Sequence, residues 1–563
     1  MNDYSLQCSS LDTPSLQGEV VPFVVQKTIT ITQQEYTELK WGCAYWESQH
    51  ARSIAREAVL KEELEQKEAI IRDLNQRLYG KKSEKSGSNL DINPNSKNKK
   101  STRPRGQQKG SRTHGRTERP NLPVIPEVIP LAETACGNCG LDYSLLSSYE
   151  ESSIIEVEVA AHIRRIKRQK CVKNCTCTPG SKIITAPLPP KLMPGSPYGV
   201  SIWEEILLNK FLHAQPVNRT LNQFKNLGLD IASGTIAGGL KKLTPLFESV
   251  YKAFHTQQMT ENRFHNDETR WEVYQEVEGK IGHRWYLWVM RSTSVVYYRM
   301  DPTRSAEVPL DHFADLISKM VIVICDRYSA YKKLARLNLA IILAFCWAHV
   351  RRDFLNLSRS YPELSTWGLD WVDEIGKLFH LNNQRIEVWK PDFPLAWQSF
   401  LFKERHDALG VALKEMESRA RALIEADKSA KKNDKSNRLA AIQRKVLVSL
   451  CEHWKGLTVF YDYPEVKMDN NPAEQSMRNP VLGRNGYYGS GSLWSAELAA
   501  MQFSIFQTML LWGLNPRTWL RLYLEACAKN LGQPPDDLSE FLPWKMSEAR
   551  KIQLAKPLDE DTS

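Results

Sequence analysis

Between Phe264 and Phe345 the apolar pattern changes period, and that change limits the fold more than anything else in the chain. FHNDETRWEV, HRWYLWVMR and VVYYRM alternate with period two and are joined by short turns, which predicts three consecutive strands. A helix over about 304–319, an apolar strand at 320–325, the strand IILAF at 341–345 and a helix starting near Trp347 follow. Strands in that order, with helices after the third, predict a mixed sheet covered by helices.

Three acidic residues stand in or just after these elements. In the first strand Asp267, Thr269, Trp271 and Val273 share one face, and Asn266, Glu268, Arg270 and Glu272 share the other. Asp267 therefore lies on the face carrying apolar residues and Glu268 on a polar one. A buried carboxylate needs a partner, and a cation provides one. Asp326 closes the apolar run MVIVICD; a helix N-cap for RYSAYKKLA explains it equally well. Glu474 lies in MDNNPAEQSMRNPVLGRNG, where Asn471 as N-cap, Pro472 at N1 and Glu474 at N3 would make a capping box. Each residue has a structural reading when taken singly. Together, two aspartates on strands and a glutamate on a later helix can hold two hard divalent cations for in-line attack on a phosphodiester.

The remainder of the 563 residues is long enough for several domains. Nothing approaches the roughly 18 apolar residues of a membrane span, and the N-terminus lacks a secretory pattern, so a cytoplasmic protein is expected. Residues 34 to about 80 read as helix, with Leu60, Leu64, Ile71, Leu74 and Leu78 on a heptad seam that Lys67 interrupts. A dimerising coiled coil and an amphipathic helix packed on its own chain both fit. The net charge of +10 is concentrated between Lys81 and Arg119, where twelve Lys/Arg face three Asp/Glu. That composition suits a disordered linker attracted to phosphates.

Five of the eleven cysteines fall between Cys136 and Cys177. CGNCG at Cys136 and Cys139 is a zinc-knuckle turn, and CVKNCTC offers Cys171, Cys175 and Cys177. Two thiolates from each arm can close a tetrahedral zinc site, with Cys175 and Cys177 favoured and Cys171 or His162 as alternatives. The intervening IIEVEVAAHIRRIKRQK has period-two character. RTLNQFKNLGLDIASGTIAGGLKKL reads as helix, turn at Gly228 and second helix capped near Ser233, a helix-turn-helix outline shared by any helical hairpin. Residues 360 to 460 read as a charged helical insertion, 495 to 530 as apolar helix, and the tail after 545 as polar.

RLYGKKSEK, CGNCG with the later CTC, ITAPLPPKLMPGSPYGVSIWEEILLNKF, HNDET, CDRYSAY, FCWAHVRRDF and DNNPAEQSMRNPVLGRNGYYGSGS span about residues 60 to 530. Through them the chain resembles the DDE-type transposases of the insertion sequence 66 family. The resemblance implies a multidomain α+β protein. Its RNase H-like mixed α/β core would carry a helical insertion, preceded by a coiled-coil helix, a small zinc-binding ribbon and a helical DNA-binding segment. It implies Asp267, Asp326 and Glu474 as the catalytic triad holding two magnesium or manganese ions, in addition to one structural zinc. It implies nicking at the ends of a bacterial mobile element and joining of the freed 3′-hydroxyl to target DNA, with no covalent protein–DNA intermediate.

The domains so implied are an arm at 1–33, a helical dimerisation segment at 34–82 and a basic linker at 83–125. A zinc-binding domain at 126–185 and a helix-turn-helix-like segment at 186–260 follow. The catalytic domain spans 261–512 and the C-terminal segment 513–563. The partners implied are double-stranded DNA at the terminal inverted repeats and target, a second copy of the chain or more, and accessory proteins of the element. Arg478, four positions after Glu474, is expected on phosphate, and His349, Arg351, Arg352 and Arg484 on DNA near the cut. The chain departs from the family's usual Arg-Lys-Asn at Arg484, Asn485 and Gly486, one cation fewer. A DNA-binding repressor that no longer cuts and a nuclease without strand transfer are the alternative readings.

Overall fold

The computed structural model describes residues 32–79, 159–172, 183–316, 320–395, 398–428 and 435–557. The chain divides into Met1–Leu90 and Asp91–Ser563. In the first unit α1 (Gln33–Tyr79) is a single 47-residue helix. Gly42 is its one glycine and it contains no proline, so nothing breaks the ladder. Thr32 and Glu35 cap it reciprocally, with Thr32 N donating to Glu35 Oε2 at 2.8 Å and Glu35 N to Thr32 Oγ1 at 3.2 Å. Leu60, Leu64 and Ile71 of the heptad seam are exposed along it.

In the second unit β1 (Lys170–Val172) and β2 (Ile183–Thr185) form an antiparallel pair with Cys171 opposite Ile184. The expected zinc ligands Cys136, Cys139, Cys175 and Cys177 lie outside the described residues, as does the basic linker. Residues 159–169, where alternation suggests a strand, carry no regular structure and are exposed. Alternation alone forms no strand where neither face is buried.

Next come α2 (Val200–Leu207), running on into a π-helical turn at Leu208–Leu212, then α3 (Val217–Asn226) and α4 (Ser233–Leu243). Gly228, at φ +83°, makes the turn between α3 and α4, so the helix-turn-helix outline is present. Gly239 lets α4 approach α2, since a Cβ there would fall inside the Trp203 indole. A 3₁₀ turn at Thr244–Phe247 leads into α5 (Glu248–Gln258).

The sheet comprises β3 (Arg263–Glu272), β4 (Arg284–Arg291), β5 (Val296–Asp301), β6 (Val321–Cys325) and β7 (Ile341–Phe345), in the order β5-β4-β3-β6-β7. The three hairpin-linked strands are antiparallel, whereas β6 joins β3, and β7 joins β6, in parallel. The parallel strands require crossovers, which α6 (Glu307–His312) and α7 (Ser329–Leu337) supply. The insertion expected at about 360–460 is helical. It follows α8 (Trp347–Ser360) and consists of α9 (Ser365–Val388), α10 (Phe400–Lys428), α11 (Lys435–Glu452) and the one-turn helices α12 (Trp454–Leu457) and α13 (Val459–Asp462). The chain closes with α14 (Asn471–Tyr487), α15 (Leu493–Leu511), α16 (Pro516–Lys529) and α17 (Glu548–Ala555).

Both faces of the sheet are buried. Trp271, Leu287, Val289 and Tyr298 enter one core with α2, α5, α15 and α16. Phe264, Trp288 and Met290 enter a second with β6, β7, α7, α8 and α9. The β5 edge is sealed by a helix: Tyr298 N donates to Ser504 Oγ at 2.8 Å and Val296 N to Thr508 Oγ1 at 3.0 Å. These hydroxyls, one turn apart on α15, satisfy donors that would otherwise template another strand. The tail after 545 is not simply polar. Ser547 caps α17, Met546 and Leu554 are buried, and the Leu554 carbonyl accepts the Asn515 N–H.

Candidate active site

The register of two parallel strands brings two aspartates together. β3 and β6 pair from Arg263↔Ile322 to His265↔Ile324. Continued two residues, the same register sets Asp267 beside Asp326, one residue past the end of β6. Side chains at matched positions of parallel neighbours point the same way. Asp326 does not cap α7, whose N-cap is Tyr328. Its Oδ1 instead accepts the Tyr328 N–H at 2.9 Å, a local turn. Asp267 is half-buried, and its Oδ1 accepts the Glu268 N–H at 2.9 Å. Burial, then the negative charges of Glu268, Asp326 and Glu474, push its carboxyl up to about 8. Glu474, on α14, is thus near enough for its charge to act on Asp267.

The face carrying Glu268 is not solvated as the alternation suggests. α6 and α7 cover it, so the Glu268 side chain is only 2% exposed. It survives there by pairing: Tyr331 Oη donates to Oε2 at 2.7 Å and Arg304 Nε to Oε1 at 2.9 Å. Arg304 in turn lies 3.9 Å over the Tyr328 ring. Glu268 is therefore saturated with donors, whereas Asp267 is not.

The start of α14 also differs from the expectation. Its N-cap is Asn470, so Pro472 and Glu474 are the second and fourth helical residues. No capping box forms, and Glu474 Oε1 is buried without a hydrogen-bond partner. Asn470 is occupied with the sheet. Its Nδ2 donates to Asn266 O at 2.7 Å, its Oδ1 meets His265 Nδ1 at 3.1 Å, and its N–H donates to Cys346 Sγ at 3.2 Å. Arg291 Nη1 donates to Pro472 O at 3.0 Å and to Ser476 Oγ at 3.2 Å. The adjacent strands β3 and β4 and the residue after β7 thus fix the helix that carries Glu474.

The expected DNA contacts separate into different environments. Arg478 and Arg352 are exposed and Arg351 is half-buried. Arg484 is an anchor: its Nη1 donates to Thr269 Oγ1 at 3.0 Å and to Arg270 O at 2.6 Å, clamping α14 to β3. Asn485, at the position that departs from the family pattern, is exposed. His349 faces inward, with Nε2 3.9 Å from Glu474 Oε1. Burial, then the Arg352 charge, lower its pKa and favour the neutral ring. Beside α7 a groove of about 620 Å³ is lined by Arg304, Lys332, Lys333 and Arg336, immediately after Asp326 in the chain.

Sequence reasoning missed Asn470, Cys346, Arg291 and the Glu268–Arg304 pair. The doubled asparagine before Pro472 was a signal that one of the two does more than cap. Nothing local marks the others, because their partners lie 36 to 185 residues away.

The family described as "Transposase IS66 family" matches residues 195–498, more than half of the chain, and the chain belongs to that family. Asp267, Asp326 and Glu474 all fall inside the matched span. The chain is similar to two uncharacterized proteins of Sinorhizobium fredii (strain NBRC 101917 / NGR234). It is 26% identical to y4hP over 457 residues, covering 75% of each chain. It is 25% identical to y4jD over 459 residues, covering 78% of this chain and 83% of the relative. No solved structure matches it. Among the described residues, no helix is long and apolar enough to cross a membrane.

Proposed function

We propose that the chain is the DDE transposase of a bacterial insertion sequence, with Asp267, Asp326 and Glu474 as its catalytic triad. The observation that carries this reading is the strand register that sets Asp267 beside Asp326, with the charges of Asp326 and Glu474 helping to raise Asp267 to about 8. A protein keeps such a cluster against its electrostatic cost when a cation or a reaction needs it. The strand order and directions of the sheet support an RNase H-like core.

The donor set fits hard divalent cations: all oxygen at the two aspartates, and an unsatisfied buried oxygen at Glu474. Asp267, Asp326 and Glu474 would hold two magnesium or manganese ions, which would supply the Lewis acidity that phosphodiester hydrolysis and strand transfer require. Glu268, held by Arg304 and Tyr331, stays out of that set and positions β3. The groove along α7 would offer Lys332 and Arg336 to a phosphate backbone, Arg304 and Lys333 being paired with Glu268 and Glu307, and exposed Arg478 and Arg352 would extend the positive surface. The α3–α4 hairpin would read the terminal repeats. Cys136 and Cys139 with two of Cys171, Cys175 and Cys177 would bind zinc. The exposed seam of Leu60, Leu64 and Ile71 would pair two copies on DNA.

Purified protein incubated with magnesium and labelled DNA carrying the element's own ends tests this. A nick at the element boundary, followed by joining of that 3′ end to a second duplex, is the expected result. Cutting indifferent to the ends, without joining, would make it a nuclease; end binding with no cut would favour a repressor.

A further inference from the structure

In the gap between α8 and α14 an unsatisfied carboxylate oxygen of Glu474 faces Nε2 of the His349 ring. His349 Nε2 and Glu474 Oε1 are 3.9 Å apart, and both His349 Nδ1 and Glu474 Oε1 are buried without a hydrogen-bond partner. Buried polar atoms without partners call for an explanation, and an ion is one. A distance of 3.9 Å is too long for an N–H···O hydrogen bond. It is within the roughly 4.2 Å that two ligand atoms can span across one ion at about 2.1 Å each. Cys346, His349 and Glu474 each offer a ligand atom within 4.8 Å of the others. Of the three, the Cys346 thiol is already engaged. It is fully buried, accepts the Asn470 N–H, and is itself the N-cap of α8.

We propose that His349 is a direct ligand of the cation held by Glu474, so that this ion has a nitrogen donor whereas the one between Asp267 and Asp326 has oxygen donors only. The inference rests on the triad reading above. Cys346 is then a positioning residue. It ties the first turn of α8, which carries His349, to Asn470, the cap of the helix that carries Glu474. One contact thereby sets the separation of the two ligands. The two metal positions become chemically unequal. An imidazole donor suits later transition metals better than magnesium, whereas carboxylate and water suit magnesium and manganese alike. The Glu474 position should therefore prefer manganese, and the Asp267–Asp326 position should discriminate less.

The test is manganese binding to the full-length protein, followed by electron paramagnetic resonance with pulsed detection of coordinated ¹⁴N. Wild type is compared with His349→Ala, His349→Gln, Glu474→Gln and Asp267→Asn, each checked to be folded by a cooperative melting transition. The expected result is a directly bound nitrogen in wild type that disappears in both His349 variants. Manganese affinity in His349→Ala should fall by at least the ~10-fold typical of losing even an outer-shell partner, with a smaller change for magnesium. Manganese that depends on Glu474 but shows no nitrogen, or whose nitrogen signal survives in His349→Ala, would overturn the ligand role and leave the triad standing. No binding in wild type, or binding equal in wild type, Glu474→Gln and Asp267→Asn, would overturn both.

Discussion

The Tyr298 hydroxyl donates to the Ser476 carbonyl at 2.6 Å, and Ser476 is the residue whose carbonyl Pro480 leaves free within α14. A proline in a helix has no N–H for the carbonyl four residues back. A strand tyrosine supplies the missing donor, so the break in the helix becomes its attachment to the sheet. Tyr298→Phe should leave a buried acceptor unsatisfied and cost about 1–3 kcal/mol. Chemical denaturation would show it, and cleavage should fall with it because Glu474 is on the same helix. A Phe variant as stable and as active as wild type would remove Tyr298 from this role.

Asp267 gives the metal-free protein a pH dependence of definite sign. Its carboxyl titrates at about 8 in the folded chain against 3.8 as its ordinary value. The folded state holds a proton that the unfolded state has lost across that window. Stability from this group is intact below 3.8, falls as pH rises toward 8 and is flat above. Asp267→Asn removes the loss, so the metal-free variant should be more stable than wild type at pH 8 by on the order of a few kcal/mol. The two should converge near pH 4. Added magnesium should raise the melting temperature of wild type more than that of the variant. Equal curves for both proteins at pH 8 without metal would contradict this.

Arg478 and Arg484 sit six residues apart on α14 but should fail differently. Arg484 bonds Thr269 and the Arg270 carbonyl, so Arg484→Ala should chiefly lower the melting temperature. Arg478 is exposed, so Arg478→Ala should leave stability unchanged, weaken binding to all DNA sequences alike, and reduce the salt slope by about one. Salt titrations of binding beside thermal melts separate the two.

Gly239 should tolerate no side chain. A Cβ there would overlap the Trp203 indole, and overpacking of this kind costs about 1–3 kcal/mol or more. Gly239→Ala should destabilise the second unit, and binding to the terminal repeats should fall through displacement of α4. Gly238→Ala, inside the same helix with nothing near its Cβ, is the matched control and should be neutral or stabilise by up to about 1 kcal/mol.

The sheet was legible because its strands carry their own pattern. β7 falls at the predicted 341–345 and β6 one residue short, since period-two and wholly apolar runs admit few alternatives. Asp267 was legible for the same reason, by parity with Trp271 and Val273. Glu268 and Asn266 stand on a face that reads as polar and yet is covered, because alternation shows which side chains share a face, not whether helices cover it. The cap of α14 slipped by one residue because Asn470 and Asn471 are the same residue type, and only contacts to Asn266, His265 and Cys346 distinguish them. The facing of His349 and Glu474 was invisible, since it depends on where α8 and α14 cross.

The most direct measurement is the single-turnover cleavage rate on a DNA end in magnesium for wild type, Asp267→Asn, Asp326→Asn, Glu474→Gln and Glu268→Gln. Glu268 is the discriminating control: it adjoins Asp267 and is likewise a carboxylate, but Arg304 and Tyr331 already hold it. If Asp267, Asp326 and Glu474 are one active site, each of their variants loses cleavage by about three orders of magnitude or more, a difference of at least ~4 kcal/mol in barrier. Glu268→Gln should keep most of its rate per folded molecule. Cleavage that survives in Asp267→Asn, or that is lost in Glu268→Gln alone, would contradict the assignment.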